Sequence, residues 1–326
     1  MAKFRIIKLG FTSPLHIGRG IGESYDSSEK ILHSDTIAGA ITSAYCLIHK
    51  DPDAKVFMER FRVSSAYPFM DQSFFMPRPH IRTDINLTDE GDYVQKKKIK
   101  KLEFLEVTLW EKLINGGNLS LTKAQLARNG KFAFTNQAPD KVPYKDVLQQ
   151  RVTVPRNGAD AVPYFVERRF FPEGAGLFFF LQADKETEKE VMQSLSILGT
   201  IGFGTDKSVG NGQFIPSLEE IEIKVPADGE KCVLLSLACP EKQDLENLKA
   251  EISSYQLIRR GGFIAGTNTN DFRHLRKRSV FMFTEGSVFN NFAFAGKIEN
   301  VRPEWNDGRL HPVWKDGRAF CLPVNL

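Results

Sequence analysis

The chain has 326 residues, 41% of them apolar and 26% charged, with 44 Lys and Arg against 40 Asp and Glu for a formal net charge of +4. At roughly 100 to 200 residues per domain this suggests two domains or one elaborated one. The composition excludes a disulfide-stapled miniprotein, a disordered tail and a fibrous repeat. Four cysteines, Cys46, Cys232, Cys239 and Cys321, form no CxxC pair, which argues against a zinc knuckle and a disulfide framework. The start, MAKFRIIKLG, lacks a long apolar run and no window approaches 18 uninterrupted apolar residues. Neither signal peptide nor transmembrane helix is expected, and a cytoplasmic location is. The charge is uneven: residues 217 to 255 carry 4 basic and 9 acidic side chains, residues 256 to 326 carry 11 and 6. A local basic surface is therefore expected toward the C-terminus.

In chain order, KFRIIKL at 3 to 9 reads as a strand ending at Gly10, followed by a long loop rich in Gly and Ser. Ser34 offers an N-cap and Asp35 a first-turn negative charge, and Ile37, Ile41, Tyr45 and Ile48 mark one face of a helix over 34 to 49. Asp51-Pro52 ends it, a second short helical pattern runs to Pro68, and MPRPH at 76 to 80 forces an extended path. Residues 81 to 165 read as an insertion of loops and hairpins outside the core, its lysine run at 96 to 101 a solvated strand edge. GLFFFLQA at 176 to 183 is an apolar strand, followed by a helix carrying Val191, Leu195 and Leu198. The grammar then repeats, with KCVLLSLAC at 231 to 239 as strand and Leu245, Leu248 and Ile252 as helix. The fold class expected from this order is α+β, two ferredoxin-like (RRM-like) domains spanning 1–216 and 217–326, each a sheet with helices on one face.

Three segments could carry chemistry. GTIGFGTDKSVGNG, 199 to 212, has five glycines, among them Gly202, Gly204, Gly210 and Gly212, around Lys207 and Ser208. Glycine-rich backbone can present N–H groups to an anion. Asp206 before Lys207 excludes a Walker A motif, and a loop that follows a helix and precedes a strand fits neither nucleotide motif. Contact with a nucleic-acid backbone competes with a plain surface connection. The second segment, 256 to 278, holds six Lys and Arg with one acid, including Arg259, Arg260, Arg276 and Arg278 beside Gly261. It reads as a polyanion-facing strand and loop or as a solvated rim. It matches the RNP1 pattern of RNA readers at Phe263 alone among the aromatic positions. The third, PLHIGRG at 14 to 20, places His16, Gly18 and Arg19 after the first strand. His16 is either a general acid or base on a ribose 2′-OH or a structural histidine. Asp26 and Asp35 flank that loop and could hold a metal for phosphodiester cleavage, but Asp35 is already explained as a helix start, which leaves Asp26 a weak candidate; no metal and no cofactor are expected. No GxSxG, HExxH or EF-hand pattern is present. The clustered Phe281, Phe283, Phe289, Phe292 and Phe294 read as core and subunit interface.

HSDTIAGAI, the YPF to MPRP passage, GFGTDKSVGNGQF, RRGGF, RKRSVFMFTEGSVF and HPVWKDGRAFCLPV together resemble one family over nearly the whole chain. It is the RAMP superfamily (repeat-associated mysterious proteins), and within it the Cas5-like fourth subunits of type III-A CRISPR (Csm) effector complexes. The resemblance implies a non-catalytic RNA-binding subunit in antiviral defence, with a β-hairpin thumb inserted within 81 to 165. Such a subunit holds the repeat-derived 5′ tag of the crRNA and docks the large polymerase-like subunit one. It neighbours the backbone RAMP subunit three, and target RNA passes near its thumb. The resemblance assigns RNA contact to the loop with Lys207 and Ser208 and to Arg156 in VPRNG, where Pro155 replaces the acidic residue usual before that Arg; Ser34 at the helix start is a further candidate RNA contact. The alternative is a metal-independent repeat endoribonuclease using His16. A third reading is a scaffold whose glycine loop grips protein.

Overall fold

The computed structural model describes residues 1–18, 25–50, 52–89, 91–156, 160–248, 253–264, 272, 275–290, 294–304 and 310–326. Strand β1 (Ala2–Phe11) is followed by helix α1 (Ser34–Ile48), α2 (Ala54–Glu59), β2 (Arg62–Val63), β3 (Tyr67–Met70) and β4 (Ser73–Pro77). Then come β5 (Ile85–Leu87), α3 (Asp92–Lys101), β6 (Phe104–Glu106), α4 (Val107–Ile114), β7 (Leu119–Leu121), β8 (Leu126–Ala127) and β9 (Phe132–Ala133). A long ribbon, β10 (Lys145–Thr153) and β11 (Val162–Phe170), leads to β12 (Ala175–Gln182), α5 (Lys185–Ile201) and β13 (Phe214–Ile223). The C-terminal part comprises β14 (Lys231–Leu234), α6 (Lys242–Asn247), β15 (Leu257–Arg260), β16 (Val280–Phe283), β17 (Val288–Asn290), β18 (Gly296–Asn300), β19 (Trp314–Arg318) and β20 (Cys321–Val324).

The main sheet runs β13-β1-β12-β3 with every pair antiparallel, and continues through β4, β6, β9 and β8. Its middle strands are apolar on both faces because both faces are covered. Ile7, Leu9, Leu177 and Phe179 pack with Ile37, Ile41, Val191 and Leu195 of α1 and α5. Ile6, Phe178 and Phe180 point the other way, onto Val233, Leu235, Phe320 and Leu322 of the C-terminal part. The FFF run at 178 to 180 is thus a strand shared by two cores. The expectation of helices on one face holds for this sheet, but the opposite face is the seat of the second unit rather than open surface.

Several expectations are corrected. Residues 81 to 165 are not outside the core: Phe104, Leu105, Trp110, Ile114 and Phe132 are buried in the same cluster as Ile6. The indole of Trp110 donates to the Pro77 carbonyl at 3.0 Å. The lysine run lies in helix α3, not in a strand edge. Lysine is a good helix former, and Ile99 packs on the core while Lys97, Lys100 and Lys101 face solvent. In the C-terminal part β14 stops at Leu234: beyond it Leu235 donates to Phe320, Ala238 exchanges both backbone bonds with Phe283 as an isolated bridge, and Cys239 donates to Gly317, so the ladder is not continued. Helix α6 ends at Asn247, and Ile252 lies outside the described residues. Among the described residues no helix separates β17 from β20. The hairpin β18–β19 stands there, and the small sheet is ordered β17-β14-β20.

Candidate nucleic-acid interface

Three segments distant in sequence interleave where β1 ends. The backbone of Leu15 bridges to Arg169 of β11, Gly212 donates to Pro14 at 2.7 Å, and Thr205 donates to His16 at 3.2 Å. The stretch after β1, the root of the β10–β11 ribbon and the glycine-rich connection therefore form one body. Its glycines are required by close backbone approach. Gly204 and Gly212 both have positive φ, and a Cβ would overlap the His16 carbonyl at the first and the Phe203 carbonyl at the second. A Cβ on Gly18 would lie 2.7 Å from the Thr205 methyl.

This corrects the expected phosphate cradle. The amides of Gly202, Phe203, Thr205, Val209, Gly210 and Gly212 already have carbonyl partners within the loop, on the preceding helix or on the stretch after β1. What remains for a ligand is the crest, a single 3-10 turn over Lys207–Val209 whose Lys207 and Ser208 are exposed, followed by Gly210 in open space. His16 is 1% exposed, and its Nδ1–H donates to the Glu167 carbonyl at 2.7 Å. Arg19 lies outside the described residues.

A second arginine pair, not singled out from sequence, fixes this body. Strand alternation sends Arg168 to Asp206 in the glycine-rich loop, with Nε at 3.1 Å, and Arg169 to Asp146 at 2.8 Å. Asn211 also donates to Asp206, at 3.0 Å. The Tyr144 ring is sandwiched between Arg128 and Arg169, their guanidinium carbons 4.1 and 3.8 Å from its centroid. Burial would push the Asp146 carboxyl up, but Arg169 and Arg128 outweigh it and hold it below its ordinary value. From this root β10 and β11 project with most side chains in solvent, including Leu148, Arg151, Val152, Tyr164 and Phe165. Arg156 is exposed just past β10. The signal available in the sequence was the doublet RR at 168–169, the same as at 259–260.

The other basic segment splits in two. Arg260 turns inward to Asp35, with Nε and Nη2 each at 3.0 Å, and Lys315 reaches the same carboxylate at 2.6 Å. Burial alone would raise the Asp35 carboxyl, yet Lys315 and Arg260 hold it well below the usual carboxylate range. Asp35 is thus committed and does not pair with Asp26 as a metal site. Beside it His33 meets Glu285 at 2.7 Å. Burial opposes charge on both, but each carries the other past that penalty, so the His33 pKa is raised and the Glu285 pKa lowered. Burial, with Lys315 and Arg260 nearby, pushes Lys277 down to about 8. Ser34 is corrected twice: His33, not Ser34, is the cap position of α1, and the Ser34 hydroxyl is buried, accepting from Leu237 N–H at 2.9 Å. Ser34 and Arg260 therefore join the two parts of the chain. Arg259 and Arg276 remain exposed, Gly261 packs against Ser279, and Arg278 is half exposed with Glu299 at 2.6 Å.

A model of the RAMP superfamily matches residues 8–215, and one described as the CRISPR Csm4 C-terminal domain matches residues 227–324. The protein "CRISPR system Cms protein Csm4" of Thermococcus onnurineus is 27% identical over 307 residues, covering 91% of this chain and 92% of that one. The Methanocaldococcus jannaschii protein of the same name is 22% identical, covering 99% and 98%. Among solved structures, a chain of the Csm3-Csm4 subcomplex of the type III-A CRISPR-Cas interference complex superposes with a TM-score of 0.65 at 20% identity, over 100% of both chains. A chain of the Csm1-Csm4 cassette in complex with cA4 gives 0.65 at 21%, over 100% and 99%. At such identities the structural likeness is one of fold.

Proposed function

We propose a function from one premise: the chain belongs to the RAMP superfamily. It acts as a non-catalytic RNA-binding subunit of a type III-A CRISPR (Csm) effector complex, in the fourth-subunit position its relatives' names give. The strand order β13-β1-β12-β3, with α1 following β1 and α5 following β12, supports a ferredoxin-like first domain over 1–216. The β10–β11 ribbon is its thumb, and 217–326 is the second domain. The observation that carries the reading is the crest at Lys207 and Ser208, held beside the exposed ribbon with Arg151 and Arg156 by the Arg168–Asp206 pair. That combination offers phosphate contacts next to a projecting strand pair. The ligand is the 5′ tag of the crRNA, with target RNA passing near the thumb. The protein partners are a large polymerase-like subunit and a neighbouring backbone RAMP subunit, as the Csm1-Csm4 and Csm3-Csm4 structures suggest by analogy. Such a complex works in the cytoplasm. Among the described residues no helix is long and apolar enough to cross a membrane.

The test is a gel-shift titration against end-labelled repeat-tag RNA and a scrambled RNA of equal length, at several salt concentrations, with and without the large subunit. Tag-selective, salt-sensitive binding with intact RNA on a denaturing gel is expected. The non-catalytic assignment is supported by the burial of His16 and the commitment of its Nδ1. Metal-independent cleavage that disappears in His16→Ala would replace it with the nuclease reading. Equal affinity for both RNAs in the presence of the large subunit would remove the tag-holding role.

A further inference from the structure

The outer face of the β15–β16 ribbon is unlike a solvated rim. Arg259 stands opposite Phe281, and Arg260 opposite Val280. Alternation turns Met282 inward onto Leu237 and Cys239; on the other side Phe283 is covered by Phe289 and Phe294, while Leu257, Arg259 and Phe281 stay exposed. Phe281 is 64% exposed. Beyond Gly261 the chain bends at Gly262, whose φ is +100°, and Phe263 then bridges to Arg276, whose guanidinium carbon lies 5.1 Å from the ring centroid. Phe263 is 44% exposed. An exposed phenyl beside an exposed guanidinium thus occurs twice on one ribbon. Each of these rings leaves apolar surface in water that burial would remove, a cost that a plain charged rim has no reason to carry twice. The segments 255 to 264 and 275 to 283 contain no acidic residue. Of the nearby carboxylates, Asp35 and Glu285 are buried beneath the ribbon, Glu29 lies by the inward Arg260, and Glu299 is taken by Arg278, so Arg259 and Arg276 keep the outer face positive.

We propose that this face is a base-stacking platform for single-stranded RNA, with unpaired bases on Phe281 and Phe263 and the flanking phosphates on Arg259 and Arg276. It rests on the RNA-binding reading above and adds which rings take the bases. From residue 259 to 263 the chain spans at most about 14 Å, within reach of neighbouring nucleotides of a splayed strand. Rings select single strands because bases within a duplex keep their faces stacked on one another. The sequence resemblance to RNP1 at Phe263 alone is consistent with this, since the second ring comes from the partner strand β16 rather than from the same motif.

The test uses the full chain, alone and with the large subunit, and a short single-stranded RNA carrying 2-aminopurine. Binding by the wild type should quench the probe. Phe281→Ala and Phe263→Ala should each lose quenching and weaken affinity about 5- to 150-fold with the salt slope unchanged, since stacking is worth roughly 1–3 kcal/mol per base. Phe281→Tyr should restore both, and a duplex of the same sequence should compete poorly. Salt-sensitive wild-type binding that neither quenches the probe nor responds to either Ala variant overturns the platform while leaving the RNA-binding function standing. Loss of large-subunit capture by Phe281→Ala, with RNA affinity intact, overturns it in favour of a protein-docking face. Absence of any salt-sensitive RNA binding by the wild type removes both readings.

Discussion

Glycine density at 199 to 212 suggested free amides for an anion, and the structure places carbonyl oxygens against four of those five glycines instead. Sequence records that a close approach is needed, not what approaches. The distinction can be measured. Gly204→Ala and Gly212→Ala meet both a positive φ and a backbone carbonyl, and each should lower unfolding free energy by about 1–3 kcal/mol in urea titrations. Gly210→Ala faces open space and should cost no more than about 1–2 kcal/mol, the left-handed penalty alone. Lys207→Ala, at the crest, should leave the melting temperature unchanged and reduce the salt slope of RNA binding by about 1. The arginine doublets teach the same lesson. A strand sends neighbours to opposite faces, so of Arg259 and Arg260 only one can face a ligand, and the Asp35 that takes the other lies 225 residues away.

At the scale of elements, β1, α1, β12 and α5 were legible because each is a long segment with one clear period. The insertion was misread because its helices are short and its apolar residues are divided among many two- and three-residue strands, so no window shows a period. Trp110 and Ile114 of α4 lie four apart on one buried face, the signal that was available there. The ribbon β10–β11 owes its orientation to its root rather than to its own packing, since most of it is exposed. Asp146 joins Arg128 and Arg169 there. Asp146→Ala leaves two guanidinium groups facing each other across Tyr144, and should speed amide hydrogen exchange in β10 and β11 while the β1–β13 ladder keeps its protection.

In the whole molecule, buried ion pairs cross the junction of the two parts beside their shared apolar core, and their signs define a pH window. His33 has a raised pKa, so its contribution is complete below its unfolded value near 6.5 and is lost as pH rises through the folded value. Asp35 has a lowered pKa, so its contribution is present above about 4 and is lost as pH falls. Lys277, at about 8, acts oppositely to His33: stability is recovered as pH rises from there toward about 10.4. Melting temperatures measured between pH 6 and 8 should therefore fall for the wild type more steeply than for His33→Gln. A difference between the two proteins that stays constant over that range would mean that His33 is not charged in its pair, whereas a flat wild-type profile alone would not, because the lowered pKa of His80 makes stability rise with pH in the same window. Asp35→Ala strands Lys315 and Arg260 without their shared carboxylate and should cost about 3–5 kcal/mol by denaturant titration.

The position of β1 in the sheet also sets an order of events during synthesis. Strand β1 is an interior strand, and both neighbours that complete it, β12 and β13, are encoded more than 160 residues later. At about 5–20 residues per second, Ile6, Ile7 and Leu9 wait roughly 10 to 40 seconds on the ribosome before residue 223 arrives to close the ladder. The glycine-rich crest hangs from that same closure, through the bonds of Pro14 and His16 to Gly212 and Thr205. A nascent chain shorter than this therefore has no crest to offer, and ribosome-held chains truncated before β13 should need a chaperone for their first strand and fail to retain RNA.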